Sequence, residues 1–367
     1  MSIIGGGSNV LGYGHPEVDE AVRLAVDQGS GSTLSCAEEV YFAEKLLEIH
    51  PWGNMVHFAR SGDEANSLAL QLAQAAINNN KIALCGYHLN QTFNAYTKTL
   101  SEDLSSGLRI SNKPTALSDT VFSFNYNNFF ELELFINKED IGIIRVNIQH
   151  IQPSEINFLQ KIKNLATQKG IILIFDECVS GFRQSFGGLH KIYNVEPDMV
   201  VFGNTMSNGY AIAAVIGKQE FMKVAQSAFI RSSFGGDRIG YSAGLKTLEV
   251  MEKIKACDIV TQTGLEVSKR WQMLGEKHGL SINVIGLPSV INFSFNSPCN
   301  LEYKAFITQK MLEKGFLVGG SFYPCIDHTQ EIVDAYFFEL EKTFEILKNC
   351  EEDIDISMLL KDSVQQN

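Results

Sequence analysis

Apolar residues recur along this chain in two alternating rhythms. Short, mostly apolar runs occupy residues 55–59, 81–86, 121–124, 141–147, 171–175, 199–203 and 211–217. Runs of this length, bounded by Gly, Asn, Asp or Pro, read as buried strands. Between them the apolar positions return at helical spacing. Val40, Ala43, Leu46 and Leu47 precede Pro51, and Ala65, Leu68, Ala69, Leu72, Ala73 and Ala76 form one face. Residues 158–168 carry the same period. Ser35-Cys36-Ala37-Glu38 has the form of a capping box, which places a helix start at Ser35. Strands alternating with helices predict βαβ units and a mainly parallel, doubly wound α/β sheet. Residues 97–118 follow neither rhythm and read as loop.

After a long helix over 239–255 the pattern changes. Helix 258–278 is followed by strands 282–285 and 290–295, then by helices 301–314 and 331–348. This predicts a large domain over 1–255 and a smaller C-terminal α+β domain over 256–350. Residues 351–367 read as a frayed acidic tail. No internal repeat interrupts the pattern.

Composition narrows the function classes. With 367 residues the chain can bury a substantial core. Its net charge of -12, with no basic run, argues against nucleic acid and anionic membranes as main partners. The seven cysteines are scattered and form no CxxC pair, so neither a disulfide framework nor a metal site is expected. No apolar run reaches membrane-spanning length, and the first ten residues lack the pattern of a signal peptide. The expectation is a cytoplasmic protein with reduced thiols.

Four positions carry candidate chemistry. Ser61-Gly62-Asp63 follows a strand and opens a helix, where free N–H groups and the positive dipole end can cradle a phosphate. The same residues also suit an ordinary helix start, and the Asp63 carboxylate would repel a phosphate it pointed at. Tyr87 ends the run KIALCG and can stack on a flat heteroaromatic ring or simply pack; His88 beside it can titrate near neutrality. Asp176 ends the apolar run IILIF, at the strand end where open α/β sheets bind ligands. An acid there can pair with a protonated pyridine nitrogen and hold the ring as an electron sink. It can equally cap a helix or pair with Arg183. Asn204 directly follows the run ending at Gly203.

The order and spacing of these positions resemble the class III aminotransferases of the fold-type I, pyridoxal-phosphate-dependent superfamily. The glutamate-1-semialdehyde aminomutase-like branch, which includes members tied to surface-polysaccharide pathways, is the most similar part of it. The segments LGYGHPEVDEAV, VHFARSGDEANSLALQLA, CGYH, LIFDECVSGFRQSFGGLHKIYNVEPDMVVFG, NGYAIAAVIG and RIGYSAGLKTLEVME carry the resemblance, over roughly residues 9–350. It implies a large cofactor-binding domain with a mainly parallel seven-stranded-type sheet. It also implies a homodimer with sites at the interface. The implied activity is transaminase or aminomutase chemistry on a small amino or keto substrate, a carbonyl compound or an amino-sugar intermediate. Ser61, Gly62 and Asp63 lie where such proteins bind the cofactor phosphate, and Tyr87 where an aromatic stacks on the ring. Asp176 matches the acid facing the ring nitrogen, and Cys178 a small residue on the other ring face. Ser233 matches a hydroxyl that reaches the phosphate of the neighbouring subunit.

The resemblance breaks at the Schiff-base lysine, whose position holds Asn204. An amide is neither a nucleophile nor a base near neutral pH. Lys191 and Lys218 are the nearest lysines in sequence, and both are expected away from residue 204. Leu89, Asn147, Ile148, Asp63 and the run Phe234-Gly235-Gly236 also depart from the usual pattern, and the segment that precedes LGYGHPEV in relatives is largely missing. Three readings follow. The chain is an aminotransferase whose missing lysine is artificial or replaced, a lysine-free enzyme using pyridoxamine phosphate non-covalently with His88 as base, or a non-catalytic homologue, a binding or dimerisation partner that keeps the fold.

Overall fold

The computed structural model describes residues 2–3, 7–31, 34–85, 98–99, 120–150, 155–226, 236–352 and 356–361. The chain forms two compact units, His15–Val250 and Met1–Gly14 with Met251–Asn367.

The first unit is built on one sheet. Its strands are β1 (Met55–Ala59), β2 (Ile82–Cys85), β3 (Lys98–Thr99), β4 (Val121–Phe124), β5 (Ile143–Asn147), β6 (Ile172–Glu177), β7 (Met199–Phe202) and β8 (Ala213–Gly217). Their order is β1-β8-β7-β6-β5-β2-β4-β3. Seven strands of four or more residues make the mainly parallel sheet, and two-residue β3 pairs in parallel with the edge of β4. Lys98 and Thr99 are therefore strand, a correction to the loop expected over 97–118. Only β8 runs against its neighbours, pairing antiparallel with β1 and β7. Every residue of β2, β5, β6, β7 and β8 is buried. Strands covered on both faces need apolar side chains throughout, which is why these segments read as runs rather than alternations.

Three helices precede or follow β1: α1 (Pro16–Asp27), α2 (Ala37–Ile49) and α3 (Gly62–Ile77). The α1 helix was not among the expected elements, nor was the helix Phe129–Lys138. In α3, Ala65, Leu68, Ala69, Leu72 and Ala73 are buried against strand residues including Ile174, Val201 and Val215.

The expected capping box at Ser35 does not form. The N-cap of α2 is Cys36, with no side-chain cap bond. Glu38 is instead engaged by Arg238, whose Nη2 and Nε donate to its two carboxylate oxygens at 2.6 and 3.1 Å. A carboxylate held in that fork cannot reach back to the helix start.

The second unit holds an antiparallel sheet of β9 (Ile282–Leu287), β10 (Val290–Phe295) and β11 (Ser321–Phe322), in the order β11-β10-β9. Helices Ala256–His278, Asn300–Glu313 and Gln330–Glu352 belong to the same unit. Gly286 has φ +108°, and a Cβ there would lie 2.3 Å from the Val290 carbonyl oxygen, so the β9–β10 turn requires glycine. The expected frayed tail is partly structured: the last helix continues to Glu352 and Ile356 is buried in the core. Among the described residues, no helix is long and apolar enough to cross a membrane.

His50, fully buried at the end of α2, ties that helix to the segment after β6. Its Nδ1 lies 2.9 Å from the Leu46 carbonyl oxygen and its Nε2 2.6 Å from that of Gly187. Burial outweighs the two carbonyls and pushes its pKa down to about 4 from 6.5. The folded state therefore favours the neutral ring, and the unfolded chain takes up the proton first as pH falls. The resulting stabilisation is complete above pH 6.5 and lost as pH drops through about 4. It amounts to about 3 kcal/mol. Urea midpoints measured from pH 7 to pH 4 should fall less steeply in His50→Gln than in the parent; equal slopes would contradict this assignment.

Candidate functional site

The carboxyl ends of β5 and β6 set Asn147 beside Asp176. Asp176 lies within β6 rather than beyond it, in register with Asn147 of β5 and Val201 of β7. Both of its oxygens are engaged. Oδ1 accepts the Cys178 N–H at 3.0 Å, and Oδ2 lies 2.5 Å from Arg145 Nη2. The Asp176 partner is therefore Arg145 on the neighbouring strand. Arg183, the partner open from sequence, instead donates its Nε to the Val179 carbonyl at 2.7 Å.

Arg145 and Asp176 have side chains 1% and 6% exposed. Strand periodicity explains the pairing. Arg145 is in register with Ile174, two positions before the Asn147–Asp176 pair, so all four side chains project from the same face of the sheet. Asn66 of α3 completes the network. Its Oδ1 accepts from Arg145 Nε at 2.9 Å, and its Nδ2 donates to the Gly62 carbonyl at 3.0 Å. A continuous polar chain thus runs from the start of α3 through Asn66 and Arg145 to Asp176.

The start of α3 lies close by. Ser61 is its N-cap, and its Oγ accepts the Glu64 N–H at 3.2 Å. The Ala65 N–H bonds the Ser61 carbonyl. The N–H groups of Gly62 and Asp63 are left without an acceptor among the described residues. Such a pair at a helix N-terminus suits an anion. The exposed carboxylates of Asp63 and Glu64 flank it, and Glu64 Oε2 accepts from the Arg60 N–H at 2.8 Å.

Cys178 fills the space between α3 and β7. A Cβ on Gly62 would meet its Sγ at 2.9 Å, and one on Gly203 would meet it at 3.5 Å. Burial, reinforced by the Asp176 charge, pushes the thiol pKa well up, so it stays protonated.

Beyond Gly203 the chain enters a turn, where Asn204 is exposed. The two lysines nearest in sequence are engaged elsewhere. Met199 pairs with Gly217, so Lys218 sits at the opposite, amino-terminal end of β7. Its Nζ lies 2.6 Å from Asp198 Oδ1. Lys191 donates to the Ile49 carbonyl. Asn147 accepts the Gln149 N–H on its Oδ1 and the Tyr126 hydroxyl on its carbonyl. Tyr87, His88, Leu89, Ser233, Phe234 and Gly235 lie outside the described residues.

Two residues escaped the sequence reading. Arg145 had a legible signal, a lone charge inside the apolar run GIIRVN, since such a charge needs a buried partner. Glu177, fully buried, is the other. It accepts from Ser180 Oγ, the Leu189 and His190 N–H groups, and lies 2.6 Å from His190 Nδ1. Trp52 Nε1 donates to His190 Nε2 at 3.3 Å, so the ring carries its proton on Nδ1 and donates it to Glu177. Gly188, at φ +109°, is required there because a Cβ would lie 2.6 Å from Glu177 Oε1. Glu177 thus pins the segment after β6 while Asp176 faces the site. Among the described residues, no group of three or more His, Cys, Asp or Glu side chains could hold a metal ion.

Known proteins resemble this chain in sequence and in fold. The family model Aminotransferase class-III matches residues 150–352. The chain is 31% identical over 341 residues to 3-aminobutyryl-CoA aminotransferase of Cloacimonas acidaminovorans, covering 89% of this chain and 79% of that protein. It is 28% identical over 366 residues to glutamate-1-semialdehyde 2,1-aminomutase of Natranaerobius thermophilus, covering 93% and 83%. The fold matches an omega-transaminase from Sphaerobacter thermophilus with TM-score 0.84 at 20% identity, over 94% of this chain and 86% of that one. It also matches a transaminase with PLP bound, with TM-score 0.83 at 22% identity, over 95% and 87%.

The buried ion pair makes a direct stability prediction. Arg145→Met leaves the Asp176 carboxylate buried without its cation and should cost about 3–5 kcal/mol. Adding Asp176→Asn should recover most of that loss, because no buried charge remains. Denaturant unfolding of both single variants and the double variant measures the coupling; strictly additive losses would rule it out.

Proposed function

The chain belongs to the class III aminotransferases, a family whose cofactor is pyridoxal phosphate, and from this premise we propose that it is a non-catalytic member that holds the cofactor without a covalent link. The residues present fit the group in that limited sense. The Gly62 and Asp63 N–H groups have no other acceptor among the described residues and would take the phosphate. Asp176, near the end of β6, is the carboxylate that would face the ring nitrogen, with Arg145 already on its Oδ2. When bound, pyridoxal phosphate supplies an electron sink for charge developing at a substrate carbon.

One observation carries the reading. The residue after Gly203, on the turn that leaves β7 beside Asp176, is Asn204. Its amide can hydrogen-bond a ligand but can neither bond covalently to the cofactor carbon nor move a proton at neutral pH. Loss of a positioned general base alone costs roughly 10²–10⁴-fold in rate. Lys218, tied to Asp198 at the other end of β7, and Lys191, on the Ile49 carbonyl, cannot replace it from those positions. The retained roles are binding of pyridoxal or pyridoxamine phosphate and pairing with a second copy of this chain in a cytoplasmic homodimer. The relatives are named for an aminobutyryl-CoA and for a glutamate semialdehyde, and the ligand class proposed here is a small amino or keto compound.

Borohydride reduction in the presence of pyridoxal phosphate, followed by peptide mass spectrometry, tests the reading. The parent chain should yield no pyridoxyl-lysine peptide, while Asn204→Lys should yield one at residue 204. A modified lysine in the parent would sink the proposal.

A further inference from the structure

The residue that most changes the chemistry of this site is Arg145. It lies in the middle of a fully buried strand, 1% exposed, where an unpaired guanidinium would be costly. It is held at two points, Nε on Asn66 Oδ1 and Nη2 on Asp176 Oδ2. Asp176 is therefore charge-balanced by the protein itself. A protonated ring nitrogen placed against the same carboxylate would be a second cation sharing one anion in a low-dielectric site, and the nearby guanidinium disfavours it.

We propose that Arg145 is the resident counter-ion of Asp176. It takes the part a protonated ring nitrogen would otherwise play, so that pyridoxal-type ligands bind here weakly and with an uncharged ring. The inference rests on the reading that the cofactor ring meets Asp176. Arg145 is a positioning residue in this scheme, because it acts through the carboxylate. It also closes the polar chain from Gly62 through Asn66 to Asp176 on protein atoms. An uncharged ring is a poorer electron sink, so the same residue withdraws the chemistry that Asn204 has already disarmed.

Pyridoxamine phosphate is the probe that tests it, since it needs no covalent link. Its binding to the full chain is followed by the fluorescence of the bound pyridine and by the rise in Tm. Arg145→Met frees Asp176 for the ring nitrogen and should bind the probe roughly tenfold more tightly than the parent. The probe should also raise the Tm of this variant more than that of the parent. Arg145→Lys keeps the cation and should behave like the parent. The double variant Arg145→Met/Asp176→Asn should lose the gain, because the acceptor charge is gone.

If Arg145→Met folds only when refolded with the probe, that rescue supports the proposal, since a purely structural role would not respond to the ligand. Equal affinity in the parent and Arg145→Met overturns it, as does a gain in Arg145→Lys. Failure of Arg145→Met to fold with the probe present overturns it as well, whether or not the double variant folds. A pyridoxyl-lysine peptide from the parent would remove the functional reading and leave this comparison standing.

Discussion

A guanidinium and a carboxylate, both withdrawn from water, meet between two neighbouring strands, and the site is arranged around that contact. Taking two charges out of water is unfavourable unless each finds a partner at short range and their remaining hydrogen-bonding groups are satisfied. Both conditions hold. Arg145 Nη2 lies 2.5 Å from Asp176 Oδ2, Asn66 accepts from Arg145 Nε, and the Cys178 N–H takes the other Asp176 oxygen. The contact connects β5, β6, the turn after β6 and, through Asn66, the first turn of α3.

Neighbouring residues of β6 serve opposite sides of the sheet. Asp176 faces Arg145, and Glu177 turns to the other face, where it gathers Ser180, Leu189 and His190. One carboxylate belongs to the candidate site, while the other fixes the chain that leaves it. His50 and Trp52, at and just past the end of α2, close the second cluster against the Gly187 carbonyl and His190. The segment that leaves β6 is thus anchored to the sheet by Glu177 and to the end of α2 by His50.

Much of the scaffold was legible because local chemistry sets it. The buried strands carry mostly apolar runs, and the α3 face from Ala65 to Ala73 repeats at helical spacing. Ser61 as an N-cap was equally local, since capping depends on residues within one turn. The misses have physical causes too. The capping box at Ser35 failed because Glu38 found a better partner two hundred residues away in Arg238. Residues 98–99 carry no strand rhythm and pair only because β4 offers a free edge. The helix Phe129–Lys138 followed a stretch dense in Asn and Phe, in which no clean period stood out.

The sequence by itself determined the alternation of strand and helix, the family, and the inability of Asn204 to act as an amine, since each depends on residue type and short-range spacing. Only the tertiary structure decided what Asp176 touches. Arg145 lies 31 residues away in the chain. The two meet because β5 is hydrogen-bonded beside β6 in a register that sets Asn147 against Asp176. Strand order and register arise from packing of the whole sheet, so the charge state of the site could not be read from any one segment.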